Sequence, residues 1–162
     1  MNTTRKILIA LFALALAVPA ALAKNAAPAA DMAPVTEGDV TEATVDGMRV
    51  LVKRVPGAEL VSTSLYIRGG ARNWGKDDAG VESLALQVAA TDGAGALDKI
   101  AYTRRLAELG TTLGADTGPD FSVLSSKGLL KNFDASFGLL ADVFLRPALT
   151  PAGIELTRAQ AL

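Results

Sequence analysis

The sequence predicts an α+β domain in which an antiparallel sheet packs with helices. Three observations lead to this fold class: a hairpin signal at Asp46-Gly47, a second hairpin around residues 118–120, and apolar residues at helical spacing elsewhere. We expect this domain to span residues 40–162. A signal peptide over residues 1–23 and a flexible linker over residues 24–39 are predicted to precede it.

The strands are predicted from alternating residues and turn signals. Residues 41–45 and 48–55 alternate around Asp46-Gly47, a two-residue turn in which both positions take positive φ. Residues 60–68 alternate in the same way, so we expect the domain to open with three antiparallel strands. Residues 111–117 and 121–127 form the second predicted hairpin.

Four helices are predicted, over residues 79–90, 98–109 and 132–145 and from Thr150 onward. Thr150 is a good N-cap and Pro151 a good first helical residue. No ending signal follows, so we expect the domain to continue beyond Leu162. The residues predicted to face the core are, helix by helix, Val81, Leu84, Ala85 and Val88; Ile100, Tyr102, Leu106 and Leu109; and Phe133, Phe137, Leu140 and Phe144.

The N-terminus has the three-part order of a secretory signal. Arg5-Lys6 precedes an apolar run over residues 7–18, and Pro19 is followed by the small residues of a cleavage site at 21–23. A membrane anchor is the alternative, but the run is shorter than the roughly 20 residues that span a bilayer. We therefore expect a periplasmic or secreted protein that has no membrane attachment after cleavage. The Ala- and Pro-rich residues 24–39 are predicted to be a flexible linker.

Composition excludes several classes of site. The 162 residues include no Cys and no His, which removes disulfides, thiolate nucleophiles, imidazole bases and Cys/His zinc sites from this chain. Sixteen basic and 17 acidic residues give a formal charge of −1. Because nucleic-acid binding needs a concentrated basic surface, we expect no nucleic-acid partner.

Five local segments stand in a fixed order along the predicted elements: DGMRV at 46–50, LYIRGGAR at 65–72, AGV at 79–81, LAELGTTLGA at 106–115 and LLADVFLRP at 139–147. These segments and the order of elements resemble the N-terminal domain of the M16 zinc-metallopeptidase family, which includes pitrilysin and insulin-degrading enzyme. Their shared order carries the resemblance, which implies an M16 peptidase-like fold.

The catalytic motif departs from the family pattern. Active members carry H-x-x-E-H on the first helix, where two His bind zinc and the Glu polarises water. Aligned on Gly80, these positions hold Ser83, Leu86 and Gln87. The family's third ligand, a Glu in the last helix, would fall just beyond Leu162. The resemblance therefore implies no catalytic residue and no bound zinc in this chain, although active family members hold zinc.

In this family an active copy often pairs with a degenerate one, and the pair encloses a peptide chamber. The resemblance implies that this chain is a non-catalytic subunit or domain whose partner is an active M16 protease subunit or a second M16 domain. Peptide adds to a sheet edge in family members, which corresponds here to Leu113, Gly114, Ala115 and Asp116. The alternatives are a zinc-dependent M16 metalloendopeptidase and a purely structural scaffold of the same fold.

Two residues are left with two interpretations each. Leu86 lies off the predicted apolar stripe of its helix, so it indicates either a second face covered by another domain or a partner, or an ordinary exposed leucine. Trp74, on a predicted loop, is either a contact residue or a packed side chain.

Overall fold

The computed structural model describes residues 32–161, which divide into two compact units, one up to Pro56 and one from Gly57. The first unit is an antiparallel sheet of strands β1 (Met32–Glu37), β2 (Val40–Val45) and β3 (Met48–Lys53), in that order. Asp46 and Gly47 have φ of 49° and 79°, which confirms the predicted turn. The predicted signal peptide lies outside the described residues.

Strand β1 corrects the sequence prediction for the end of the linker. Residues 32–37 pair with β2, although residues 24–39 were predicted to be flexible. All six residues of this strand are exposed, so they show no apolar alternation, and Pro34, which lacks an N–H, lies where the pairing register shifts between Met32 and Val35. Edge strands tolerate proline at such an irregularity, so composition alone was a poor guide here.

The second unit contains a sheet in the order β4 (Leu60–Arg68), β8 (Phe121–Leu129) and β7 (Thr112–Thr117). The β7–β8 hairpin is confirmed, with β7 at one edge of this sheet. The three antiparallel strands predicted from residues 41–68 are confirmed, but they do not form one sheet, because β4 pairs with β8 rather than with the first hairpin. Pro56 and Gly57, which has φ of 77°, end the run of β3 before β4 begins.

Four helices lie in the second unit of the described chain: α1 (Val81–Thr91), α2 (Lys99–Leu109), α3 (Phe133–Leu145) and α4 (Pro151–Ala161). A short ribbon of β5 (Gly93–Ala94) and β6 (Leu97–Asp98) joins α1 to α2. Asp98 caps α2 by accepting a bond from the Ala101 amide at 2.8 Å. Thr150 caps α4, since its Oγ1 accepts a bond from the Gly153 amide at 3.1 Å.

The core lies between these helices and one face of the second sheet. Its buried members include Ala89, Tyr102, Leu109, Leu124, Leu139, Leu140 and Val143. On α2 and α3, three residues predicted to face inward are exposed: Ile100 is 72% exposed, Phe137 48% and Phe144 44%. Helix α3 is apolar on more than one side, so periodicity alone included Phe137 and Phe144 in the same stripe as the buried Leu140.

Helix α1 also buries a different stripe from the predicted one. Of the predicted inward residues only Val88 is buried, together with Ala89 and Ala90, whereas Val81 is exposed. Alanine on most sides of this helix leaves the sequence with little directional signal. Within residues 32–161 no helix combines the length and apolar character that crossing a bilayer requires.

Candidate functional site

One face of α1 carries a line of neutral polar side chains at the positions of the family motif. Gln87 Nε2 donates to Ser83 Oγ at 2.8 Å, so the two residues that the sequence predicts at the histidine positions of the family motif are in direct contact. Thr91 continues the line, and its Oγ1 donates to the Gln87 carbonyl at 2.8 Å. The spacing of four residues between them places all three on one helical face.

Leu86, at the position of the family's catalytic glutamate, is half-buried and packs against the core. Neither interpretation from the sequence describes it, because Leu86 is covered by the core of its own unit and not by another domain or a partner. A leucine here can neither accept a proton nor bind a metal. The position that would activate water in an active member now stabilises the fold through apolar contact.

The polar face of α1 borders a cleft of about 250 Å³ between α1, β7 and α4, which we name the α1–α4 cleft. Its described lining is Gln87, Ala90, Thr91, Gly114, Ala115, Thr157 and Gln160. None of these seven residues is charged. Thr157 and Gln160 were not identified from the sequence, although their spacing of three on α4 places them on one helical face.

The predicted peptide-binding residues lie on β7, an edge strand of the second sheet. Gly114 and Ala115 line the α1–α4 cleft, and Leu113 packs partly against the core. Asp116 is exposed and does not line the cleft. The structure therefore places the middle of the predicted segment beside Gln87 and leaves its two ends outside the cleft.

Glu82 joins three parts of the second unit just before the motif positions. Its carboxylate accepts bonds from the Gly70 amide at 2.9 Å, from Trp74 Nε1 at 2.7 Å and from Ser122 Oγ. The Ser122 bond first, then those of Trp74 and Gly70, lower the pKa of Glu82 from its usual value. These bonds attach the loop after β4 to α1 and β8. They also give the indole N–H of Trp74 a structural role, although the side chain is exposed and does not pack in the core.

The residues present do not fit zinc. Zinc in proteins prefers thiolate, imidazole and carboxylate ligands, whereas Ser83 and Gln87 offer a neutral hydroxyl and an amide that already bond each other. The described residues also contain no cluster of three His, Cys, Asp or Glu side chains with metal-binding geometry. No hydrolytic step can be derived from this helix.

A larger hollow of about 570 Å³ lies in the first unit, against β1 and β2. Its lining combines apolar side chains with Glu37 and Glu42, and Glu42 already pairs with Arg49. It brings together no nucleophile, base or metal-binding set. The α1–α4 cleft therefore remains the better candidate site, despite its smaller volume.

Comparison with known proteins identifies the family. The profile described as Insulinase (Peptidase family M16) matches residues 49–162, more than two thirds of the chain. No curated protein sequence matches the chain significantly.

Three solved structures resemble the fold at low identity. The periplasmic protease PqqL from Escherichia coli aligns with a TM-score of 0.72 and 19% identity, over 80% of this chain and 15% of that protein. A peptidase M16 inactive domain from Pseudomonas fluorescens aligns with a TM-score of 0.66 and 21% identity, over 76% and 30% respectively. A protease from Helicobacter pylori aligns with a TM-score of 0.63 and 17% identity, over 74% and 29%.

The chain therefore spans less than a third of the length of each of these structures. At these identities the likeness concerns the fold alone, while the family profile covers most of the chain. The predicted α+β, M16 peptidase-like architecture is confirmed, and one of the similar structures is itself an inactive domain of that family. On these grounds the chain belongs to the M16 peptidase family.

Proposed function

We propose that this chain is a non-catalytic M16 domain that works beside an active M16 zinc protease and helps to form its peptide-binding chamber. The observation that carries the proposal is the state of the motif positions on α1. Ser83 and Gln87 bond each other, and Leu86 packs on the core, so the helix is present in the fold but has no metal-binding or water-activating side chain at these positions.

The retained surroundings of the motif support a binding role rather than a purely structural one. The α1–α4 cleft is open beside Gly114 and Ala115 on β7. An edge strand has unpaired backbone groups that can accept an extended peptide as an additional strand. A degenerate helix beside an accessible edge is suited to holding a peptide without cutting it.

The partner is an active M16 subunit or a second M16 domain, and we place the pair in an exported compartment. The predicted signal peptide supports this location, and the similar protease PqqL is described as periplasmic. Zinc, in this proposal, belongs to the active partner, because the motif positions of this chain do not fit it.

Affinity purification of the tagged full-length protein from its native envelope fraction tests the proposal. Zinc content and hydrolysis of a fluorogenic peptide would be measured on the complex and on the isolated chain. We expect stoichiometric zinc and hydrolysis only when an M16 protein with an intact H-x-x-E-H motif is present. Stoichiometric zinc and hydrolysis by the isolated chain would refute the proposal. A stable complex whose peptide affinity equals that of the partner alone would favour the scaffold alternative.

A further inference from the structure

The loop of residues 69–80, which joins β4 to α1, presents an exposed tryptophan, and we name it the Trp74 loop. Trp74 is 41% exposed. Its indole N–H donates to the Glu82 carboxylate at 2.7 Å. Because the indole has no other polar atom, the exposed part of the ring offers only apolar contact. Of the two interpretations from the sequence, that of a contact residue fits this side chain.

The Trp74 loop is held in one position by bonds to its own unit. The Ala71 amide donates to the Gly118 carbonyl at 2.9 Å, which attaches the loop to the β7–β8 turn. Arg72 forms an ion pair with Asp120 of the same turn at 2.6 Å. The bonds to Glu82 attach the loop to α1 as well. A side chain positioned in this way loses little freedom on binding, so its contacts contribute to affinity at a small entropic cost.

The part of the loop that follows Trp74 carries charges on the surface. Residues 71–80 are all exposed. No ion pair within residues 32–161 involves Lys76, Asp77 or Asp78. One lysine and two aspartates leave this segment with a net negative charge, which a basic surface on a partner would complement.

We propose that Trp74 is the anchor by which this domain docks on its M16 partner, entering an apolar pocket bordered by basic side chains. This inference rests on the proposed function, because it assigns a contact surface to the same partner. Tryptophan is among the residues that contribute most to protein interfaces, where a buried ring is surrounded by groups that exclude water. An exposed indole whose N–H is already bonded within its own chain suits such a pocket.

The charges beside the ring define the chemistry of the pocket further. Lysine or arginine at its border would face Asp77 and Asp78. A guanidinium there could also stack on the indole ring. An extended peptide suits this loop less well, because its two short 3-10 turns, Ala71–Asn73 and Lys76–Asp78, present no strand edge to which a peptide could add.

The test measures the accessibility of Trp74 in the purified full-length protein, alone and in the complex with the active M16 protein recovered with it. Subtracting the emission of the Trp74→Phe variant, at concentrations that saturate the complex, isolates the signal of Trp74. Acrylamide quenching then reports whether solvent reaches the indole. We expect efficient quenching in the free protein and a quenching constant about threefold lower in the complex, because interface anchors are shielded from water.

Affinity for the same partner is measured by isothermal titration calorimetry. Trp74→Ala should weaken binding by about thirtyfold, the effect typical of an anchor residue. Phe137→Ala is the matched control, since Phe137 is an aromatic side chain of similar exposure on α3, and it should leave the affinity unchanged. The double variant Asp77→Lys with Asp78→Lys should weaken binding by about tenfold at low salt and by less at high salt.

The outcomes separate this inference from the proposed function. Protection of Trp74 in the free full-length protein would overturn the docking role, because the protein's own chain would then cover the indole. Equal quenching in the free protein and the complex, or equal weakening by Trp74→Ala and Phe137→Ala, would also overturn it and leave the pairing intact. Protection by an added Val-Thr peptide without the partner would assign the loop to substrate instead. Absence of any M16 protein from the purified material would overturn both the docking role and the proposed function.

Discussion

Replacing Gly153 with alanine tests how α4 is held against the end of α1. Asp92, only 4% exposed at the C-terminal end of α1, accepts bonds from the Thr150 amide at 2.8 Å and from Thr150 Oγ1 at 2.6 Å. A Cβ atom at Gly153 would overlap the Asp92 carboxylate, well inside the 3.0 Å that real Cβ atoms keep. Asp92 must then move, although Gly153 itself lies within a helix, where alanine is normally favoured over glycine.

Helix propensity and packing predict opposite signs for this substitution. Alanine in place of glycine in a helix gains up to about 1 kcal/mol. Moving a buried carboxylate away from its donors costs about 1.5 to 3 kcal/mol for each bond lost, and the added methyl group costs about 1 to 3 kcal/mol in overpacking. We therefore expect Gly153→Ala to lower the free energy of unfolding by at least about 2 kcal/mol.

Urea unfolding of the full chain measures this effect. With a denaturant slope near 2 kcal/mol/M, the midpoint should fall by about 1 M. Gly138→Ala is the matched control, because nothing lies within 4 Å of a Cβ at that position of α3, and it should stabilise the chain by about 0.5 to 1 kcal/mol. On an Asp92→Ala background, Gly153→Ala should lose its destabilising effect. An increase in stability from Gly153→Ala in the unmodified chain, equal to that of Gly138→Ala, would refute the reasoning.

Three further predictions concern protonation and metal binding. The bonds to Glu82 lower its pKa, so their contribution to folding stability is present above the unfolded pKa of 4.5 and is lost as the pH falls through the folded pKa. Glu82→Gln should therefore destabilise the chain at pH 7, and its urea midpoint should decline less steeply as the pH falls. Identical acid slopes in the variant and the unmodified chain would contradict this. Burial raises the pKa of Tyr102 from 10.0 to about 12, so its contribution to folding stability is complete below pH 10 and is lost as the pH rises toward 12. Tyr102→Phe should cost about 1 kcal/mol at pH 7 through the lost bond to the Ala90 carbonyl and should remove that alkaline decline, and an unchanged alkaline slope would argue against it. The double variant Ser83→His with Gln87→His should bind one zinc per chain, because the side chains at these two positions are already in contact. At a zinc concentration a hundredfold above Kd, its folding stability should rise by about 2.7 kcal/mol, followed in a thermal shift assay. No shift in the variant, or an equal shift in the unmodified chain, would contradict the geometry.

Local chemistry explains which parts of the fold were predictable from the sequence. The turn at Asp46-Gly47 and the caps at Asp98 and Thr150 each depend on residues within a few positions of one another. The contact between Ser83 and Gln87 follows from helical spacing alone. Features that involve residues only a few positions apart are determined by local backbone geometry, so a sequence pattern is sufficient to predict them.

The features that escaped prediction depend on residues far apart in the chain. The bond between Asp92 and Thr150 joins residues 58 positions apart, and it brings Thr157 and Gln160 of α4 to the cleft. The outward position of Ile100 is likewise decided by how α2 packs and not by its own pattern. Tertiary contacts select among faces that are similar in hydrophobicity, and a single sequence does not encode that choice locally.

Leu86 also constrains how a complete H-x-x-E-H motif could be introduced into this helix. Histidines at positions 83 and 87 would replace polar side chains beside an open cleft, which the fold can accommodate. A glutamate at position 86 would instead place a carboxylate against the core that Leu86 now contacts. Because position 86 is half-buried, an unpaired carboxylate there would be partly removed from water and would lower the stability of the fold, by less than a fully buried charge would.

The full H-x-x-E-H motif would therefore combine two substitutions on the polar face of α1 with one on the side that packs against the core. The substitution at position 86 limits how far zinc chemistry can be introduced into this helix without a loss of folding stability.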